Sequence, residues 1–365
     1  MNKSILFLLL SAFILKTVKA QNKVITIKAN SNLVDIREDK RLLKKAWTIS
    51  PEIKPDVHFT DAKRVTFFTD IDSITAIINP KDSVFNFVIL LNGKDSAITQ
   101  IKYQQSKLSI LKTAAKYDMS DKSYIPNFVY QSLDNPNLVR IRKELKLDSI
   151  AGTGSEISKI LNLMHWLHYL IPHDGMNDNP EVKNALSMIE VCKKEERGLN
   201  CRGLAMVLNE CYLSLGIKSR YVTCYPKDTT DPDCHVINMV YSNELEKWIW
   251  IDPSFDAYVM NEKGELLGIE EVRERLISGK PMILNPDANW NRQQTQIKEV
   301  YLENYMAKNL YKLETPLVSE YNTETAEKGK VIKYVQLIST VDTPIKKSNQ
   351  FLFTYNPTLF WAKPK

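Results

Sequence analysis

The chain has 365 residues, 44% of them apolar, which is enough to bury more than one core, so two or three domains are expected. Its 49 Lys and Arg against 43 Asp and Glu leave a net charge of +6. The basic residues are scattered, which argues against a nucleic-acid-binding face, and beyond the N-terminus no stretch is apolar for the ~20 residues of a membrane helix.

In chain order, Lys3 precedes an almost wholly apolar run from Ile5 to Leu15, and Val18-Lys19-Ala20 follows as a small-residue cleavage site. The run is too short to span a bilayer and reads as a secretory signal peptide over residues 1–20. An exported product, periplasmic or extracellular, is the expectation. Its removal takes away three lysines and no acids, so the mature charge is milder still. No cysteine follows Ala20, and no lipid anchor is expected.

Residues 21–105 carry strand signals. Val24–Lys28 alternates, and Arg64–Thr69, Ser73–Ile78 and Phe85–Leu91 are rich in β-branched and aromatic residues. Leu91-Asn92-Gly93-Lys94 between apolar runs predicts a type I′ hairpin turn. The cluster Arg41-Leu42-Leu43-Lys44-Lys45 reads as a solvated helix face. The whole reads as a small antiparallel, sandwich-like β module without visible chemistry, in which His58 has a surface or packing role.

Residues 106–310 read as a second region, of mixed helix and strand, in which the candidate chemistry lies. After mixed lysine-rich helical pieces, a helix is expected from about Thr153, capped by Thr153 with Glu156 completing a capping box, and ended by Pro172. It carries His165 and His168, with His173 and Asp174 just beyond. Imidazoles at i and i+3 share a face, but without a fourth well-spaced ligand they read as structural, and no metal site or cofactor is expected. A second helical piece, Pro180–Glu190, leads through the charged run Lys193–Arg197 to Cys201.

From Cys201 a helix is predicted with an apolar stripe at Leu204, Val207, Leu208, Cys211 and Leu215, stopped by Gly216. Cys201 therefore starts a helix, where free N–H groups and the dipole favour a thiolate. Strands follow at Ile217–Tyr225, His235–Tyr241 and Trp248–Asp252, a helix-then-meander pattern of the α+β class. Phosphate-binding glycine loops and the Gly-x-Ser-x-Gly elbow are missing from the sequence. Further on, Ile269–Ser278 and Ile297–Leu310 read as helices, the latter with Tyr301 and Tyr305 on one face, and residues 311–365 as a β-rich extension.

The five cysteines are Cys192, Cys201, Cys211, Cys224 and Cys234. An odd number in an exported chain leaves one free, and Cys201 has a reason to be it; Cys224 and Cys234 flank a polar loop and could bridge. Antiparallel pairing of the His235 and Trp248 strands makes His235 and Asp252 cross-strand neighbours. Thiolate, base and orienting carboxylate are what attack by cysteine on an acyl carbon requires.

Cys201-Arg202-Gly203-Leu204-Ala205, Leu215–Val222, His235–Tyr241 and Trp248–Ser254 resemble, in order, blocks of the transglutaminase-like superfamily, whose core is a permuted relative of the papain fold. The resemblance covers roughly residues 155–260. It implies Cys201 as nucleophile, His235 as general base then acid, and Asp252 as the orienting carboxylate. Gly203 and Ile237 depart from bacterial members, which often have an acidic residue and tryptophan there. Asn200 reads either as a second oxyanion donor or as a helix cap, and Trp248 and Trp250 as strand packing rather than cleft walls.

The expected function is an exported cysteine-dependent acyl-transfer enzyme acting on protein or peptide substrates through a thioester at peptide or glutamine amides, hydrolytic rather than cross-linking. The alternatives are a true protein-glutamine transglutaminase and a non-catalytic binding protein of the cell envelope.

Overall fold

The computed structural model describes residues 24–365 apart from 40, 53, 229 and 342–348, so the signal-peptide segment lies outside the described residues. The chain divides into two units, Met1–Gln105 and Ser106–Lys365. Among the described residues no helix is long and apolar enough to cross a membrane.

The first unit holds two four-stranded sheets around one core built on Ile36, Phe67, Phe87 and Ile101. One sheet runs Arg41–Thr48, Leu33–Glu38, Arg64–Phe68, Ser73–Ile77 and is antiparallel throughout. The other is not: its outer strands Ile25–Ala29 and Asp56–Thr60 pair parallel to the central hairpin. That hairpin turns at Asn92 and Gly93 with φ of 52° and 68°, both positive as a type I′ turn requires. Arg41–Lys45 is strand, not helix, because pairing with Leu33–Glu38 overrides the local charge pattern. His58 Nε2 donates to Glu38 Oε1 at 3.0 Å and the ring sits edge-on to Phe67, a packing role.

The second unit is built on a six-stranded sheet. Its order is Lys247–Ile251, His235–Ser242, Ser219–Tyr225, Lys312–Pro316, Tyr334–Leu337, Phe351–Thr354. All pairs are antiparallel except the last. Residues 311–365, read from the sequence as an extension, thus supply half the strands of the same sheet.

Both faces of the sheet are covered, which is why its strands read as continuous apolar runs. On one face Val236, Val240, Ile249 and Ile251 meet the helices Glu156–Leu170, Ala185–Glu195 and Cys201–Ser214. On the other, Ile237, Met239, Trp248 and Trp250 pack with the C-terminal strands and later helices. Trp248 and Trp250 are buried packing residues.

The helix Cys201–Ser214 is buried all round from Gly203 to Ser214, so the predicted one-sided stripe understates it. Its polar residues survive burial because each is hydrogen-bonded. Asn209 donates to Ser319 Oγ at 2.8 Å, and Glu210 accepts the N–H groups of Ala185 and Asn322 at 2.8 and 2.7 Å. Gly216 ends the helix at φ 77°.

The helix Glu156–Leu170 is capped by Ser155 rather than Thr153. No capping box closes it: the Glu156 carboxylate turns away to accept from Ser242 Oγ, Asn243 and the Glu244 N–H. Arg220 is fully buried in the sheet with its guanidinium 3.6 Å from the Phe128 ring centre, donating to the Phe360 carbonyl at 3.0 Å.

Candidate active site

Asn200 sets the start of the cysteine helix. Its Oδ1 accepts the Gly203 N–H at 3.2 Å, the capping geometry, and also the Asn179 amide at 2.6 Å. Its own N–H donates to Asn179 Oδ1 at 3.2 Å. A Cβ at Gly203 would press on the Asn179 side-chain amide, which would have to give way. Two further ties seat the helix on the sheet: Asn238 donates to the Ala205 carbonyl at 2.9 Å, and Arg202 reaches Thr223 Oγ1 at 2.8 Å and Glu324 at 2.6 Å.

Cys201 is thereby held half-buried at the helix N-terminus. Burial opposes ionisation, but hydrogen bonding to His173 and His235, with their charges, outweighs it and lowers the thiol to about 6. The other four cysteines go the opposite way. Burial pushes up Cys192, Cys211, Cys224 and Cys234. All five are free, so the suggested Cys224–Cys234 bridge does not form: Cys224 points into the core, in register with His235 on the neighbouring strand.

His235 Nε2 donates to Asp252 Oδ2 at 2.7 Å, and both groups are buried. The register pairs Asn238 with Ile251, which places Asp252 two residues diagonal to His235 rather than opposite it. The contact is within reach of a long side chain across an antiparallel pair. Burial disfavours the imidazolium, but the Asp252 charge and hydrogen bond, with help from Cys201, raise His235 to about 10. Its Nδ1 is buried with no other hydrogen-bond partner, leaving it for the sulfur. Near neutral pH the pair is therefore thiolate and imidazolium.

Asp252 is fully engaged. Besides His235 it accepts the Tyr301 hydroxyl at 2.6 Å on Oδ2 and the Ser254 N–H at 2.9 Å on Oδ1. Tyr301 in turn accepts from Trp250 Nε1 at 3.1 Å. Burial and the Asp252 charge hold the Tyr301 phenol far above its usual range, so it stays a donor. It comes from a π-helical turn, Glu299–Met306, that also turns Tyr305 toward the site. The rings of Phe255 and Tyr305 lie against His235 at 5.6 and 5.2 Å, closing it off from water.

Beside these residues opens a cleft of about 530 Å³, lined among others by His173, Phe255, Trp290, Gln296 and Tyr305. That is the size of a small-molecule or side-chain pocket.

His165 and His168 lie elsewhere. His165 bonds Asp256 at 2.8 Å, and His168 spends both nitrogens, on the Pro253 carbonyl and Asn289 Oδ1. Among the described residues no cluster of three His, Cys, Asp or Glu could hold a metal ion.

Residues 143–253 match the family model of the transglutaminase-like superfamily. Among solved structures, the chain is similar to a candidate cysteine protease from Cytophaga hutchinsonii, at 18% identity over 40% of this chain and 50% of that one, TM-score 0.26. It is also similar to the red sea bream transglutaminase, at 10% identity over 64% of this chain and 49% of that one, TM-score 0.22. The chain spans about half the length of each. No curated protein matches the sequence.

Proposed function

Starting from an α+β unit whose core, at residues 143–253, is transglutaminase-like, we propose that the protein is a cysteine-dependent acyl-transfer enzyme that opens peptide or glutamine amides through a thioester and resolves it with water. The observation that carries this reading is the line of contacts from the Cys201 sulfur through His235 to Asp252 and Tyr301.

The Cys201 thiolate attacks the amide carbon, and the carbonyl π pair moves to oxygen. The Cys201 N–H, free at the helix start, is the first donor to that oxyanion. As the tetrahedral centre collapses, the C–N bond breaks and the departing nitrogen takes the His235 Nδ1 proton. Asp252 keeps the ring turned and its Nε2 protonated throughout. Water then attacks the thioester while His235 Nδ1 takes its proton. The C–S bond breaks, releasing a carboxylate and restoring the thiolate. Hydrolysis is favoured over amine transfer because water reaches an open cleft unaided, whereas an amine acceptor needs a site to position it.

The charge states give the test. Iodoacetamide labelling of Cys201 is expected to reach half its limiting rate near pH 6, against ~8.5 for an ordinary thiol. Amide turnover should rise through the same pH as the thiolate forms and fall through about 10 as His235 loses the proton the leaving amine needs. A labelling midpoint at or above 8.5 contradicts the assignment.

We propose further that the enzyme acts outside the cytoplasm, on the strength of the N-terminal sequence. The intact mass of the product from the producing cell is expected to start at Gln21. A mass retaining residues 1–20 opposes this.

A further inference from the structure

The Cys201 sulfur has a second imidazole against it, and the chain of contacts through His235 makes no use of it. His173 lies near enough to the sulfur to lower its thiol by hydrogen bonding and charge, and its buried Nδ1 has no hydrogen-bond partner among the described residues.

The side chain is held there by a dedicated piece of structure. His173 and Leu199 form a parallel bridge, in which the Leu199 N–H donates to the Pro172 carbonyl at 3.2 Å and the Asp174 N–H to the Leu199 carbonyl at 2.8 Å. The segment bearing His173 is thus zipped to Leu199, two residues before Cys201. The close approach depends on Gly198, where a Cβ would sit 2.3 Å from the Pro172 carbonyl oxygen.

Asn291 clamps the His173 backbone from the other side. Its Oδ1 accepts the His173 N–H at 2.7 Å, and its Nδ2 donates to the His173 carbonyl at 2.9 Å. The ring lies on Trp290 with centroids 4.4 Å apart, and it forms part of the cleft wall.

A buried ring nitrogen left without a protein partner is costly unless something else fills the place. Here the free nitrogen belongs to a ring in contact with the nucleophile and facing the cleft where a carbonyl would arrive. We infer that His173 is a second catalytic side chain, whose N–H donates to the oxyanion formed when Cys201 attacks, together with the Cys201 backbone N–H. Asn200 serves as the helix cap through its side-chain oxygen, which accepts from the Gly203 N–H and the Asn179 amide. No proton is transferred in this step: the N–H donates a hydrogen bond that strengthens as charge builds on oxygen, and relaxes when the C–N bond breaks.

The inference rests on the thioester reading above, and the experiment separates the two. His173→Phe keeps a ring for the Trp290 contact and removes the donor; His173→Gln restores an N–H. With a peptide amide turned over by the full chain, His173→Phe is expected to lower kcat by about 10²–10³-fold, the loss typical of one oxyanion donor. KM should stay within about threefold, and His173→Gln should recover at least about tenfold in kcat over the Phe variant. A kcat within about threefold of the parent in His173→Phe overturns this role alone. So does a Gln variant no better than Phe. No amide turnover by the parent enzyme overturns the thioester reading, and this inference with it.

Discussion

Cys201→Ala is expected to remove amide turnover altogether, by at least about 10⁴-fold, the loss seen when a covalent nucleophile is deleted. The thioester requires the sulfur, and no neighbour can take over: Cys234 is partly buried with its thiol pushed up, and Cys224 faces the core. The fold should not notice. Cys201 is the first residue of its helix and half-buried, and the cap through Asn200 and the Arg202–Glu324 pair stay in place without its sulfur. Cys201→Ser should be nearly as inactive, because the thiol is lowered to about 6 and attacks as a thiolate, whereas a serine hydroxyl keeps its proton. Release of the amine product, followed by mass spectrometry, is the measurement. Turnover by the Ala variant at the parental rate would place the chemistry elsewhere.

Asp252→Asn is expected to lower kcat by about 10²–10⁴-fold while leaving Cys201 in position. The carboxylate accepts three hydrogen bonds, from His235, Tyr301 and the Ser254 N–H. An amide of the same shape must turn its NH₂ toward one of those donors. Without the negative charge His235 no longer holds its proton up to about 10. The imidazolium that stabilises the thiolate is lost with it, so the Cys201 labelling midpoint should move upward from about 6 toward ~8.5. The sign matters: the variant loses rate most steeply on the acid side, where the parent enzyme already has its thiolate. An unchanged labelling midpoint in this variant would disconnect Asp252 from the sulfur.

Much of this site is legible in the sequence because it is built from neighbours. Cys201 announces itself by the apolar spacing that follows it, and a short hairpin brings His235 and Asp252 to one end of two strands. The diagonal offset between them is not legible, since it depends on a register set by Asn238 and Ile251. Tyr301 was visible only as one of two tyrosines on a helical face. Its hydroxyl reaches Asp252 from 49 residues away, through a π-helical turn that no local spacing specifies.

His173 was harder still. Beside His165 and His168 it looks like the third of a set, yet the three point to different partners. What sends it to the sulfur is a bridge to Leu199 and a clamp by Asn291, neither of which leaves a pattern in the chain. The misread cluster at Arg41–Lys45 and the misplaced cap at Thr153 have a common cause. In each, a local preference was overruled by a partner distant in sequence: the Leu33–Glu38 strand in one, and Ser242 to Glu244 in the other.

Arg220 gives the stretch around Phe360 a hold on the middle of the sheet. Its guanidinium is sealed against Phe128 and donates to the Phe360 carbonyl at 3.0 Å. A buried charged donor stripped of its acceptor costs about 1–3 kcal/mol or more. A change that pulls Phe360 away therefore loosens the Ser219–Tyr225 strand, and with it the partner strand that begins at His235.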